Sequence, residues 1–265
     1  MAEPSSDHWH PSAAYLYILH LDGPDLAWEY LRRDPDYQSD WLHRHKGPEV
    51  ALRWGLRLLE DPAQDARDAH PAWFPDHDTV AQVYPDADPP PNAAPFEFWH
   101  IPGHKQLMHD GRRLLLIARQ PDCCLRLALA PTLEDGMAYV YAIRACRASC
   151  VRYSALAGEL DKLQDVSDSA PVAVVKPRPS SSSLLELHTL QALDGTLAGA
   201  SLRTVADVLF GPEIVAEGWH ADGDLRARVR RLVQRGKKLM QGGYRRLAQL
   251  PPLEQGRSAS DAERP

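Results

Sequence analysis

The sequence predicts an α+β fold that is mainly α-helical, with a helical N-terminal domain, a small antiparallel β meander and a C-terminal three-helix helix-turn-helix domain. Three observations predict this fold. A short capped helix precedes a strongly basic amphipathic helix near the C-terminus, three runs in the middle have strand-like composition, and a Pro- and Ser-rich segment separates these parts. The predicted divisions are residues 1–75, 96–170, a linker at 171–183, 184–250 and a disordered tail at 251–265.

The N-terminal region has the spacing of successive helices. Ser12 is predicted to cap the first, and a second covers residues 26–33 until Pro35 ends it. Residues 49–59 predict a further amphipathic helix. Residues 61–95 are rich in Pro, Asp and Ala, so they are predicted to be loop or linker.

The middle of the chain changes to the alternation of strands. Residues 113–119, 123–130 and 137–144 are three strand-like runs joined by turn residues, which predicts the meander. Residues 146–164 are predicted to return to helix. The segment 174–183 (VVKPRPSSSS) is the clearest domain boundary, because Pro and a run of Ser cannot form a core.

Two helices follow a first one predicted at residues 184–197. Ser201 precedes apolar residues at helical spacing and Gly211 follows them, which predicts a capped helix over residues 202–210. Asp222 and Asp224 open the next helix. Its apolar side chains fall within one arc of about 120°, and they are Leu225, Val229, Leu232, Val233, Leu239 and Met240.

Charge is distributed unevenly along the chain. Residues 1–90 carry 17 acidic and 7 basic side chains, a net −10, whereas residues 201–250 carry 5 acidic and 10 basic, a net +5. Residues 222–248 hold nine Lys and Arg against two Asp and no Glu. A helix face that serves only solubility normally mixes both signs, so this bias favours an anionic partner, with nucleic acid first. A merely solvated face stays the alternative.

Enzymes and membrane proteins fit the sequence poorly. His100, His104 and His109 have no carboxylate at general-base or metal spacing, and no phosphate-binding loop or nucleophile elbow occurs. We therefore expect no catalysis and no cofactor. Cys146 and Cys150 lack finger-like partners and are predicted to be core residues. No apolar run is long enough to span a bilayer, no signal segment is apparent, and the protein is predicted to be cytoplasmic.

The two ends of the chain resemble a known pair of domains. The C-terminal part resembles the C-terminal DNA-binding domain found in proteobacterial integrative and conjugative elements. The matching residues are 190–199, 201–206, 209–211, 225–233 and 239–247. Residues 28–37 (WEYLRRDPDY) resemble the companion transcriptional regulator-like domain. Joined in one chain, they resemble the FseA-type activator of element excision. The C-terminal part of that family also occurs alone, as an antiactivator of the QseM kind.

The resemblance implies a helix-turn-helix regulator that binds double-stranded DNA and activates excision or transfer genes of a mobile element. The alternative is an antiactivator that sequesters another regulator without binding DNA. Eleven residues, 212–222, separate the two C-terminal helices, whereas a simple motif uses about three or four. Pro212 is expected to start a short helical turn there, and Trp219 to plug the core. The acidic N-terminal region is assigned to protein contacts with RNA polymerase, another regulator or a second copy of the chain, and the sequence does not fix the oligomeric state.

The candidate DNA contacts lie opposite the apolar stripe of the basic helix and at the first turn of the helix before it. A recognition helix usually meets base edges with its N-terminal half. The candidates for base edges are therefore Arg226, Ala227, Arg230, Arg231 and Gln234. The candidates for phosphates are Arg235, Lys237, Lys238, Arg245 and Arg246. Arg203 and Thr204, in the first turn of the shorter helix, complete the predicted interface.

Overall fold

The computed structural model describes residues 9–43, 49–74, 80–109, 114–119, 124–142, 180–220 and 223–250. The chain divides into two compact units. The helical unit combines residues 1–73 with 179–265, and the sheet unit comprises residues 74–178. Helices and a five-stranded sheet together confirm the predicted α+β class.

In the N-terminal part of the helical unit, residues 9–43 and 49–73 contain a 3-10 helix followed by three short α-helices. The 3-10 helix is Ser12–His20, and the α-helices are α1 (Gly23–Leu31), α2 (Pro35–Leu42) and α3 (Glu49–Arg53). Asp22 caps α1 by accepting from the amide of Asp25 at 2.9 Å. Pro35 does not simply end the preceding helix. It begins α2, because proline suits the first helical position, where no amide donor is needed.

Two N-terminal expectations were wrong. Ser12 does not cap its helix, and its hydroxyl instead donates to Gln191 Oε1 at 3.2 Å. The helix predicted over residues 49–59 stops at Arg53. Gly55 then adopts a φ of +76°, and Leu56 forms a β-bridge with Trp73. A left-handed glycine breaks the helical hydrogen-bond series, so the apolar spacing beyond it belongs to a loop.

Residues 180–220 and 223–250 contain five α-helices rather than the predicted three. They are α4 (Ser181–Leu197), α5 (Leu202–Phe210), α6 (Pro212–Gly218), α7 (Asp224–Lys238) and α8 (Tyr244–Leu247), with a π-helical turn at Leu239–Gly243. Helix α5 has the predicted bounds. Ser201 accepts from the amide of Thr204 at 3.1 Å, and Gly211 ends the helix with a φ of 90°. Helix α6 is the short turn expected from Pro212.

The four-Ser run begins a helix instead of ending a linker. The hydroxyl of Ser180 accepts from the amide of Ser183 at 3.1 Å, so α4 starts at Ser181 and not at residue 184. Serine is unfavourable inside a helix but favourable at its N-terminus, and the run serves there. The rest of the predicted linker, through residue 179, lies outside the described residues.

One hydrophobic core unites both ends of the chain. It includes Trp28 and Tyr30 from α1, Leu190 and Leu193 from α4, and Val229 from α7, all with 0% exposure. Eight of the nine residues of α1 are buried. Such a helix needs apolar cover on every side, and the C-terminal helices supply part of it. The structure thus draws the domains differently from the sequence, which placed residues 1–75 and 184–250 apart.

The sheet unit is a five-stranded mixed sheet in the order β2-β3-β4-β1-β5. The strands are β1 (Ala81–Pro85), β2 (His104–His109), β3 (Leu114–Arg119), β4 (Cys124–Leu129) and β5 (Tyr139–Ala142). Strands β3 and β4 pair antiparallel, as the meander required.

The predicted strand order of the meander was wrong beyond that pair. Strand β1 lies in the stretch predicted to be loop, and it separates β4 from β5 by pairing parallel with β4 and antiparallel with β5. Val83 of β1, Leu116 and Leu127 form the centre of this unit's core. The helix predicted at residues 146–164 lies outside the described residues.

Candidate nucleic-acid interface

Helix α7 has one buried face and one exposed face. Val229, Leu232 and Val233 are 0%, 5% and 6% exposed, and Leu225 is partly buried against the same core. This confirms the predicted stripe. Leu209 of α5 is only partly buried, although it also packs against this core.

The exposed face of α7 is continuous and cationic. Its side chains recur at i, i+3 and i+4, so they are neighbours along one side of the helix. Beyond the first turn, the exposed residues are Arg228, Arg230, Arg231, Gln234, Lys237 and Lys238. The single acidic residue of α7 is Asp224 in the first turn, where it complements the helix dipole.

Close packing on α4 holds α7 in place. A Cβ atom at Gly236 would lie 3.0 Å from Leu193 Cβ and 3.2 Å from the Thr189 carbonyl oxygen. The two helices therefore approach so closely that a larger side chain at Gly236 would require its neighbours to shift. Because Gly236 lies in the basic half of α7, this contact fixes the height of the cationic face above the core.

Four cations of this face are available to a ligand. In the part of the chain that the structure describes, Arg230, Arg231, Lys237 and Lys238 have no ion-pair partner. Arg228 has a different role, because its guanidinium lies 4.8 Å from the centroid of the Phe210 ring. It links α7 to α5, which sequence reasoning missed.

The other base-edge candidates are less accessible. Arg226 and Ala227 are partly buried, and Arg226 makes interactions within the protein. Of the five residues predicted to face base edges, the structure therefore exposes Arg230, Arg231 and Gln234 together.

Arg235 is engaged within the protein. Its Nη2 donates to Glu186 Oε1 of α4, and its Nε is buried without a hydrogen-bond partner among the described residues. The charge of Arg235, which was predicted to contact a phosphate, is thus neutralised by the Glu186 carboxylate of the same chain.

Arg245 is buried rather than exposed. It is 8% exposed and its Nη1 donates to the Arg53 carbonyl oxygen at 3.5 Å. The neighbouring Tyr244 donates its hydroxyl to the Trp54 carbonyl oxygen at 3.0 Å. Arg245 therefore does not lie on the surface, as the predicted phosphate contact requires, because its side chain anchors this part of the chain to the N-terminal region. Arg246 does remain exposed.

The two glycines before Tyr244 create that anchor. Gly242 has a φ of 109°, and a Cβ at Gly243 would lie 2.7 Å from the Lys238 carbonyl oxygen. Both positions exclude ordinary side chains, so the chain can leave α7 sharply and enter α8.

The first turn of α5 offers a second exposed polar group. Arg203 and Thr204 are both exposed there. The Thr204 hydroxyl lies 2.8 Å from the hydroxyl of Ser201. The N-terminus of a helix favours anions, so these residues lie where a phosphate would be stabilised.

A buried ionic network lies between the N-terminal helices and α4. Arg33 donates to Asp194 with Nε at 2.6 Å and Nη2 at 2.8 Å, and Tyr15 donates its hydroxyl to the same carboxylate at 2.6 Å. Arg33 also bonds Glu29 at 2.6 Å. Burial favours the neutral acids, but the guanidinium of Arg33 outweighs it and holds the pKa of both carboxyls below their ordinary values. The network joins α1 to α4.

The histidines form no metal cluster in the described ranges, where no group of three or more His, Cys, Asp or Glu could hold a metal ion. His104 and His109 lie at opposite ends of β2. His100 does have a carboxylate neighbour, contrary to the sequence argument, because its Nδ1 contacts Glu97. Both side chains are exposed, 76% for His100 and 48% for Glu97, so both are solvated.

Among the described helices, none is long and apolar enough to cross a membrane. Cys146 and Cys150 lie outside the described residues.

Three family models match the chain in succession. Residues 8–58 match the proteobacterial transcriptional regulator-like domain. Residues 78–125 match a domain of unknown function, DUF7011. Residues 126–249 match the model described as "T6SS, Transcription factor, DNA binding domain". No curated protein matches the chain.

The first and third of these models meet in the helical unit. The regulator-like match spans the 3-10 helix through α3, and the DNA-binding match includes α4 to α8. Together the two matches support a transcriptional regulator whose C-terminal part is similar to transcription factor DNA-binding domains.

Proposed function

We propose that this protein activates excision or transfer genes of an integrative and conjugative element by binding double-stranded DNA through α7. The observation that carries the proposal is the exposed face of α7, whose unpaired cations lie opposite the apolar stripe that packs on the core. The match to a transcription factor DNA-binding domain and the resemblance to FseA-type activators support it. The protein acts in the cytoplasm by binding, without catalysis or a cofactor.

The geometry suits the DNA major groove, which is about 12 Å wide and admits one helix. Arg230, Arg231 and Gln234 would meet base edges, since Arg pairs well with guanine and Gln with adenine. Lys237, Lys238 and Arg246, with Arg203 at the start of α5, would contact phosphates. Regions of the N-terminal part that face solvent would contact RNA polymerase or another regulator.

The test removes two charges from α7 and two from elsewhere. The full chain carrying Arg230→Gln and Arg231→Gln is compared with the full chain carrying Arg53→Gln and Arg67→Gln. Arg53 and Arg67 belong to the same unit, and their side chains are 61% exposed. Each variant loses two arginines, so the control and the α7 variant have the same net charge. Binding is measured by fluorescence polarisation on a duplex selected by the wild-type chain from a random-sequence pool, and on a scrambled duplex.

The α7 variant should lose about 1–3 kcal/mol of specific binding per arginine that reads a base, and the control should bind like wild type. Equal binding by the two variants would reject α7 as the DNA-contacting helix. In that case the antiactivator function, in which the basic face meets an acidic regulator, takes precedence. A reporter fused to the excision gene of the element then separates activation from sequestration.

A further inference from the structure

Three side chains connect the N-terminal region to α7. Tyr30 of α1 donates its hydroxyl to Glu186 Oε2 at 2.6 Å. Glu186 of α4 accepts from Arg235 of α7 through its other oxygen. One carboxylate therefore binds two partners that lie far apart in the sequence, and each oxygen has its own donor.

The three side chains have limited access to water, so their contacts depend closely on geometry. Tyr30 is 0% exposed, and the side chains of Glu186 and Arg235 are 13% and 33% exposed. Burial and the adjacent carboxylate raise the pKa of Tyr30, so its hydroxyl stays a donor. Polar contacts with little access to water are strong and geometrically demanding, whereas apolar packing tolerates small shifts.

Arg235 lies where it can fix the rotation of α7. It follows Gln234 directly and lies one turn after Arg231, beside the exposed face. The apolar stripe and the close contact at Gly236 together set how closely α7 lies on the core. The contact with Glu186 restrains rotation about the helix axis, which decides where Arg230 and Arg231 point.

We propose that Tyr30 and Glu186 are positioning residues that hold Arg235 and thereby orient α7 for sequence-specific DNA recognition. This inference rests on the proposed DNA-binding function. It assigns the regulator-like N-terminal region a direct part in setting DNA specificity, and it makes Arg235 a positioning residue that Glu186 withholds from phosphates.

Replacing Glu186 should change the non-specific affinity and the specificity for DNA in opposite directions. Glu186→Gln keeps the shape of the side chain but removes its charge, so Arg235 is released toward solvent. Affinity for a scrambled duplex should rise, with a log-log salt slope steeper by up to about 0.9, the value for one added phosphate contact. The ratio of specific to non-specific affinity should fall. Loss of folding alone would lower both affinities together.

Two tyrosines provide a matched comparison. Tyr30 and Tyr15 each donate a hydroxyl to a carboxylate of α4 at 2.6 Å, but the partner of Tyr15, Asp194, binds Arg33 instead of a residue of α7. Tyr30→Phe should lower the specificity ratio by about twofold to tenfold, the factor that corresponds to one hydrogen bond. Tyr15→Phe should leave the ratio unchanged, although it removes an equivalent bond.

The experiment measures binding of the full chain to the selected and scrambled duplexes by fluorescence polarisation, over a range of salt concentrations. The expected result is that Glu186→Gln gains non-specific affinity while it and Tyr30→Phe lose specificity, with Tyr15→Phe like wild type. Unchanged ratios in Glu186→Gln and Tyr30→Phe, or equal effects of the two tyrosine variants, would overturn the positioning role while the proposed function stands. A wild-type chain that binds both duplexes equally would overturn the proposed function itself and this inference with it.

Discussion

Asp194→Asn should destabilise the whole helical unit, because Asp194 lies at the centre of its buried ionic network. The carboxylate is 8% exposed and accepts two bonds from Arg33 and one from Tyr15, at 2.6–2.8 Å. The asparagine keeps the shape but leaves the guanidinium of Arg33, 10% exposed, with Glu29 alone. Removing one partner of a buried pair costs about 3–5 kcal/mol. That is a large part of the roughly 5–15 kcal/mol by which domains are usually stable.

The assay is urea unfolding of the full chain, followed by tryptophan fluorescence and by far-ultraviolet circular dichroism. Both probes should shift together, because Asp194 in α4 and Arg33 after α1 belong to one core. Asp65→Asn is the control, since its ion pair with Arg67 is local and that arginine is 61% exposed. Such surface pairs contribute about 0–1 kcal/mol. An Asp194→Asn midpoint like that of the control, or a shift in only one probe, would refute the single core.

Three further outcomes follow from the same core. Leu232→Ala should cost about 2–5 kcal/mol, because it opens a cavity under α7; an unchanged thermal midpoint would show that the stripe is not packed. Stability should be full above the ordinary pKa values of Glu29 and Asp194 and fall as acid protonates them, since their pKa values are lowered in the folded state. A midpoint that stays constant through that acid range would contradict the network. Gly243→Ala should destabilise by about 1–3 kcal/mol because its Cβ would overlap a carbonyl oxygen, whereas Gly218→Ala, with 3.6 Å of space, should not; equal melting curves would dispute the glycine requirement.

Local signals in the sequence predicted what local forces determine. Ser201 and Gly211 fixed both ends of α5, because capping depends on residues within one turn. The apolar stripe of α7 likewise identified its buried face. The exposed cations followed from the same period, so Arg230, Arg231, Gln234, Lys237 and Lys238 could all be placed correctly on the surface.

Long-range pairing could not be predicted in this way. Tyr30 and Glu186 are 156 residues apart, and neither carries a local mark of the other. Arg245 and Arg246 are adjacent and identical in chemistry, yet only the first is buried, because the turn at Gly242 directs it toward the Arg53 carbonyl. Strand β1 was missed for a related reason. Its stability comes from β4 and β5, whereas its own neighbours are Pro and Asp.

The salt dependence of DNA binding tests the central claim most directly. Four exposed cations, Arg203, Lys237, Lys238 and Arg246, are assigned to phosphates, so the log-log slope for the wild-type chain should be about −3.6, at roughly 0.9 for each phosphate. Lys238→Gln should make the slope shallower by about 0.9 and weaken selected and scrambled duplexes alike. An affinity that hardly changes with salt, or a slope that Lys238→Gln leaves unaltered, would contradict binding of DNA by the exposed face of α7.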